Sequence, residues 1–224
     1  MKEYNLAEEM AFIDAEPVQA KKQFQQDVKT LQGERELIEQ INTLHKGVFT
    51  LDEEAIKEQF KTDLLKLFKG VETSLEKDEK TFNLKIIFIG HDYEPEARVF
   101  GYGDGDFNYP ILDEPEYVKY NFHQQFFSGA GPIDYSIAKR PILDFEESLD
   151  EEILEEIEDL FSTYYIEVGE LYVLNIYRLL HAAFTDLASE LLQLNIPKEQ
   201  EVFIYGNEHD GKARNIFLLS SPLS

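Results

Sequence analysis

The stretch "ELYVLNIYRLLHAAFTDLASELLQL", residues 170–194, is apolar round most of a helical circumference. A helix of that kind is stable in water only when neighbours cover nearly every side of it. The remainder of the chain is therefore expected to wrap a central buried helix that Asn195 and Pro197 bring to an end. The material for doing so is present: 43% of the 224 residues are apolar, enough for a sizeable core.

The flanking segments show what kind of cover to expect. Between Pro17 and Lys46, Phe24, Val28, Leu31, Ile38 and Ile41 recur at steps that fit one or two amphipathic helices. A stronger stripe follows, formed by Ile56, Phe60, Leu64, Leu67, Val71 and Leu75. It continues past Gly70, so one helix is expected throughout. Thr50 and Glu53 are spaced as a capping box at its start. At Phe82 the period changes. "LKIIFI" (84–89) and "RVFGY" (98–102) read as strands joined by a turn-rich link, and "EVFIY" (201–205) and "RNIFLL" (214–219) read as a closing hairpin. Residues 103–147 read as irregular, with a helical turn near Tyr120 to Phe127. "SLDEEILEEIEDLFSTYY" reads as a helix capped by Ser148 and Glu151, with Ile153, Ile157, Leu160, Phe161 and Tyr164 inward.

Regular βαβ alternation is absent, which argues against a doubly wound fold. The expectation is an α+β fold: a largely antiparallel sheet of about four to six strands covered by helices. Residues 1–48 would form an N-terminal helical extension and 49–224 a single α+β domain.

Charge narrows the partners. With 45 acids against 21 bases the chain carries a formal net charge of -24. Residues 1–80 have a net of -6 and residues 81–224 a net of -18, so the acidity belongs to the later part. Phosphate backbones and anionic membrane surfaces would be repelled, so neither nucleic acid nor membrane is expected as a partner. A basic protein would be attracted. The chain has no cysteine, which removes disulfides, thiolate metal sites and a cysteine nucleophile. Its first residues, "MKEYNLAEEMAFIDAEP", lack the apolar core of a signal peptide, and no apolar run reaches the ~18 residues of a membrane span. A cytoplasmic location is the expectation.

"GYGDGDFNYP" (101–110) has the alternating acids of a calcium loop. Counted from Asp104, Asp106 and Asn108 fall on ligand positions. The position that needs glycine holds Tyr109, and the one that needs a bidentate glutamate holds Pro115. The glycines are instead expected to permit positive φ where a strand ends. Two loops pair histidine with acids: His91–Asp92, and Glu208–His209–Asp210. Meeting at one end of a sheet, they would offer a carboxylate–imidazole site for a metal-dependent hydrolase. As isolated polar turns they would do nothing chemical. His181, on the apolar helix, is expected to be a hydrogen-bonded core residue, and Arg178 to pair with a carboxylate. Nucleotide loops and nucleophile elbows are absent, so no cofactor, no catalytic residue and no metal ligand is assigned.

The remaining signal is a surface. Tyr102, Asp104, Asp106, Tyr109, Asp113, Glu114, Glu116 and Tyr117 mix rings with acids, and Asp144–Asp159 holds ten acids and no base, among them Glu151, Glu152, Glu155 and Glu156. Rings anchor interfaces and acids steer basic partners.

The layout of "LDEEAIKEQFKTDLLKLF", "LKIIFIGHDYEPEARVFGY", paired late helices and "VFIYGNEHDG" resembles small acidic bacterial proteins of unknown function from toxin–immunity loci. The resemblance covers roughly residues 50–220; the N-terminal helices have no counterpart in it. It implies a non-enzymatic immunity protein that binds and blocks a cognate basic toxin. The alternatives are the hydrolase built on the two His-Asp loops and a regulatory or structural interaction module.

Overall fold

The computed structural model of the chain describes residues 22, 35–75, 81–91, 95–105, 122–148, 162–208 and 214–220. In order, the elements are α1 (Arg35–Gly47), a 3₁₀ turn (Val48–Thr50), α2 (Glu53–Leu75), β1 (Leu84–His91), β2 (Glu96–Gly105), β3 (Phe122–Asp134), α3 (Ser136–Ser148), α4 (Ser162–Gln193), β4 (Lys198–Glu208) and β5 (Arg214–Ser220). The fold is α+β. One five-stranded sheet runs in the order β3-β2-β1-β4-β5. Its pairs are antiparallel except β1 with β4, which run parallel. Among the described residues, no helix is long and apolar enough to cross a membrane.

The chain divides into two compact units. The first contains Glu54–Tyr135 and the chain from Leu179 onward; the second contains the described residues up to Glu53 and Ser136–Arg178. The sheet belongs wholly to the first.

In that unit, α2 and the C-terminal part of α4 run side by side. Lys57 and Lys61 both reach Asp186 at 3.5 Å, Lys69 reaches Glu190 at 3.3 Å, and Glu72 accepts from the Asn195 amide. Partners advance along both helices together, so the helices point the same way. Their apolar stripes cover one face of the sheet. Ile56, Phe60, Leu64, Leu67 and Val71 of α2 are buried, as the spacing predicts, and Gly70 does not interrupt the helix. On the sheet, Ile87, Ile89, Ala97, Val99 and Ile204 are at most 1% exposed. Phe60 meets Tyr135 edge-on at 5.5 Å, and Phe184 of α4 stacks on Phe217 of β5 at 5.8 Å. His181 sits in this layer as a core residue: its Nδ1 lies 2.6 Å from the Ile216 carbonyl.

In the second unit, Tyr172 of α4 donates to the Leu44 carbonyl at 3.0 Å. Gly47 is tightly enclosed: a Cβ there would lie 2.7 Å from the Tyr172 hydroxyl oxygen and 3.0 Å from Pro141. Arg178 pairs with Glu53, the carboxylate partner its position predicts, and also donates to the Asn175 amide oxygen Oδ1. Taken along both units, α4 is buried on most sides from Val168 to Leu191, as its composition demands.

Three local expectations are corrected. Residues 122–134, read as irregular with a helical turn, form β3. Gly129 (φ 60°) and Gly131 (φ 118°) sit where the β2–β3 register shifts, so turn-type residues here mark irregular pairing within a strand. The positive φ expected at Gly101, Gly103 and Gly105 falls instead on Gly129 and Gly131. Thr50 does not cap α2 in a box with Glu53; its hydroxyl donates back to the Gly47 carbonyl at 2.9 Å inside the 3₁₀ turn. Ser148 is the last residue of α3, its hydroxyl donating to the Phe145 carbonyl at 2.7 Å; Glu151 and most of the helix expected to start at Ser148 lie outside the described residues.

Candidate functional site

Strand alternation gives the sheet a second face. Ile87 pairs with Gly101 and Ile204 on the helix-covered side; Phe88 pairs with Phe100 and Tyr205, one residue over, on the other. Phe88, Phe100, Tyr102 and Phe122 gather on this outer side, each half-buried. Tyr102 stacks on Phe122 with centroids 4.6 Å apart and planes 14° apart. Phe88 lies 5.3 Å from Phe122 and 6.4 Å from Phe100. Such pairs add about 0.5–1.5 kcal/mol each beyond their burial and hold the rings as a rigid group. Ile86 and Tyr205 share this face and are buried.

The glycines of "GYGDG" make the ring group possible from behind. Gly101 and Gly103 are strand residues facing the helix-covered side. A Cβ on Gly101 would collide with the Phe127 ring and stand 2.9 Å from Leu84; one on Gly103 would stand 2.6 Å from Phe82. Large rings occupy the space a side chain would need, so only glycine lets β2 lie close.

Asp104 is the exposed acid at this end of β2. Its Oδ1 accepts from Lys85 Nζ at 3.0 Å and from the Gly105 amide at 2.9 Å. The Lys85 hydrogen bond, then the Gly105 amide and the lysine charge, hold its carboxyl below the usual range. Partial burial pushes the Tyr102 hydroxyl up, so it remains a neutral donor near neutrality.

The other predicted site lies at the opposite end of the sheet. β1 and β4 are parallel neighbours, and His91 and Glu208 are register partners at their C-terminal ends. The structure thus brings the starts of the two His-Asp loops to one edge. Next along the row, Ala97 pairs with His91 and with Ile133, and Glu96 with Asp134. His91 itself is 5% exposed and meets the Tyr135 ring edge-on at 5.3 Å. The Tyr135 hydroxyl, pushed well up by complete burial, has no hydrogen-bond partner among the described residues. Among the described residues, no group of three histidine, aspartate or glutamate side chains is placed to hold a metal ion.

Of the residues picked out from sequence, Tyr102 and Asp104 share the outer face at one end of the sheet, and His91 and Glu208 share the other end. Asp92, Asp106, Tyr109, Asp113, Glu114, Glu116, Tyr117, Glu151, Glu152, Glu155, Glu156, His209 and Asp210 lie outside the described residues. Phe88, Phe100 and Phe122 were not picked out. Their signal is the two-residue period that puts Phe100 in phase with Tyr102, and it becomes readable only once the strands are paired.

Set against protein-family models, curated proteins and solved structures, the chain matches none.

Proposed function

We propose that the protein is a non-enzymatic binding protein that captures a basic partner protein, with Tyr102 and Asp104 on the outer sheet face among its contacts. The observation that carries the reading is a ring group with an ionised acid beside it in a chain of net charge -24. Rigid aromatics supply anchor energy at low entropic cost, while the anionic field accelerates encounter with a cation. A nuclease must be basic to hold its substrate, so an acidic protein can occupy the phosphate positions and block it. On this reading the protein is a cytoplasmic immunity protein and its partner a nuclease-type bacterial toxin.

The test is inhibition of a panel of purified basic nuclease-toxin domains, followed by association rates over about 50 to about 500 mM salt. One domain is expected to be blocked, with an on-rate that falls steeply as salt rises. Inhibition of none, or an on-rate indifferent to salt, overturns the reading.

The His91–Glu208 register favours one second reading, a metal-dependent hydrolase at the C-terminal ends of β1 and β4. Its donors would be imidazole and carboxylate, a set that suits zinc or manganese. Zinc or manganese titration of the intact chain tests it: a raised melting temperature lost in His91→Ala supports this reading, and no shift removes it.

A further inference from the structure

A groove of about 310 Å³ lies between α2 and the Phe127–Pro132 stretch of β3, and the geometry points to it as a binding site for a small organic anion with an apolar body, such as a medium-chain carboxylate. Its volume is at the lower end of small-molecule sites. Leu67 and Val71 supply a buried aliphatic wall from α2, and Phe127 and Pro132 face them from β3. Gly70 lines the groove, and a Cβ there would enter open space, with no heavy atom within 4 Å, so only a larger side chain could reach in to fill it.

The charge at the rim selects the ligand. Asp63 borders the groove, but both its oxygens are engaged: Gln59 Nε2 donates to Oδ1 and the Asp134 amide to Oδ2, each at 3.0 Å. That carboxylate fastens α2 to β3 through neutral donors and keeps its charge, so an anionic head must sit on Lys66, away from Asp63. Lys66 is the cation of the groove. The other lysines of α2 are all satisfied: Lys57 by Glu54 and Asp186, Lys61 by Glu58 and Asp186, Lys69 by Glu190. Lys66 is exposed and makes no ion pair among the described residues, in a chain where acids outnumber bases 45 to 21. An ammonium left without an anion beside an apolar cleft is complementary to a carboxylate carrying a hydrocarbon tail. The head would sit on Lys66 and the tail between Leu67, Val71 and Phe127. This site is separate from the Tyr102 face and does not depend on the protein-binding reading.

The experiment titrates octanoate, octylamine and octanol into the intact protein, with amide chemical shifts to locate binding and calorimetry to measure it. Octanoate is expected to saturate, with shifts concentrated in Asp63–Ser74 and Phe127–Pro132, and to bind at least about fivefold tighter than octylamine. Lys66→Gln should weaken octanoate about fivefold. Gly70→Leu, which favours the helix while filling the groove, should abolish binding, and Lys69→Gln should leave it unchanged. Absence of saturable shifts, equal affinity for octanoate and octylamine, or an unaltered octanoate affinity in Lys66→Gln overturns the proposal.

Discussion

The two faces of the sheet are made by alternate residues of the same strands, yet they are built differently. The helix-covered face is aliphatic and closed: Ile87, Ile89, Val99 and Ile204 leave no more than 1% of their surface to solvent. The outer face is mostly aromatic, and beside buried Ile86 and Tyr205 it keeps Phe88, Phe100, Tyr102 and Phe122 half-buried. Branched aliphatics fill a close-packed layer between sheet and helix, where shape decides stability. Partly exposed rings such as Tyr102 and Phe100 suit an interface, where aromatics supply anchor energy. On the proposed function, stability falls to one face and recognition to the other, and substitutions can separate them.

The largest loss is expected from Ile89→Ala, which leaves a cavity under α2 and α4. Urea unfolding should show about 3 kcal/mol lost. Gly101→Ala should follow at about 2 kcal/mol, because the added methyl meets the Phe127 ring and Leu84 across β2. Phe100→Ala, on the outer face, should cost about 1 kcal/mol, less than a core truncation, since part of its ring stays exposed. A loss as large as that of Ile89→Ala would erase the distinction between the faces. The smallest effect is electrostatic. Lys85→Met should raise the Asp104 titration midpoint toward that of an ordinary carboxylate, measured by NMR, with almost no change in stability because the pair is exposed. The sign follows from the lowered carboxyl: whatever the pair contributes is present at neutral pH and is lost as pH falls through the folded-state value.

How much of this could be read from the sequence depended on how local the signal was. The stripe from Ile56 to Val71, the circumference of α4 and the β-branched runs of β1, β4 and β5 are local patterns, and the structure bears them out. β3 was hidden because Ser128, Gly129, Gly131 and Pro132 resemble a loop, and only pairing with β2 makes them a strand. The spacing of Gly101 and Gly103 suggests positive φ at a strand end; their reason is the Phe127 and Phe82 rings, which come from elsewhere in the chain. The parallel pairing of His91 with Glu208 spans β2, β3, α3 and α4, and no nearby residue encodes it. Tyr102 and Asp104 were legible as a ring beside an acid, but the rings that hold Tyr102 were not. The groove at Lys66 is legible only by comparison with the paired lysines around it.

The most direct measurement compares Tyr102→Ala with Ile89→Val, reading both unfolding free energy and affinity for a basic nuclease domain captured in the proposed inhibition panel. Tyr102→Ala is expected to weaken binding at least about tenfold, as loss of an aromatic anchor does, while costing about 1 kcal/mol of stability, as Phe100→Ala does. Ile89→Val is expected to lose about 1 kcal/mol of stability with binding unchanged. An affinity unaltered by Tyr102→Ala, or lowered equally by both substitutions, would contradict the division of labour between the two faces.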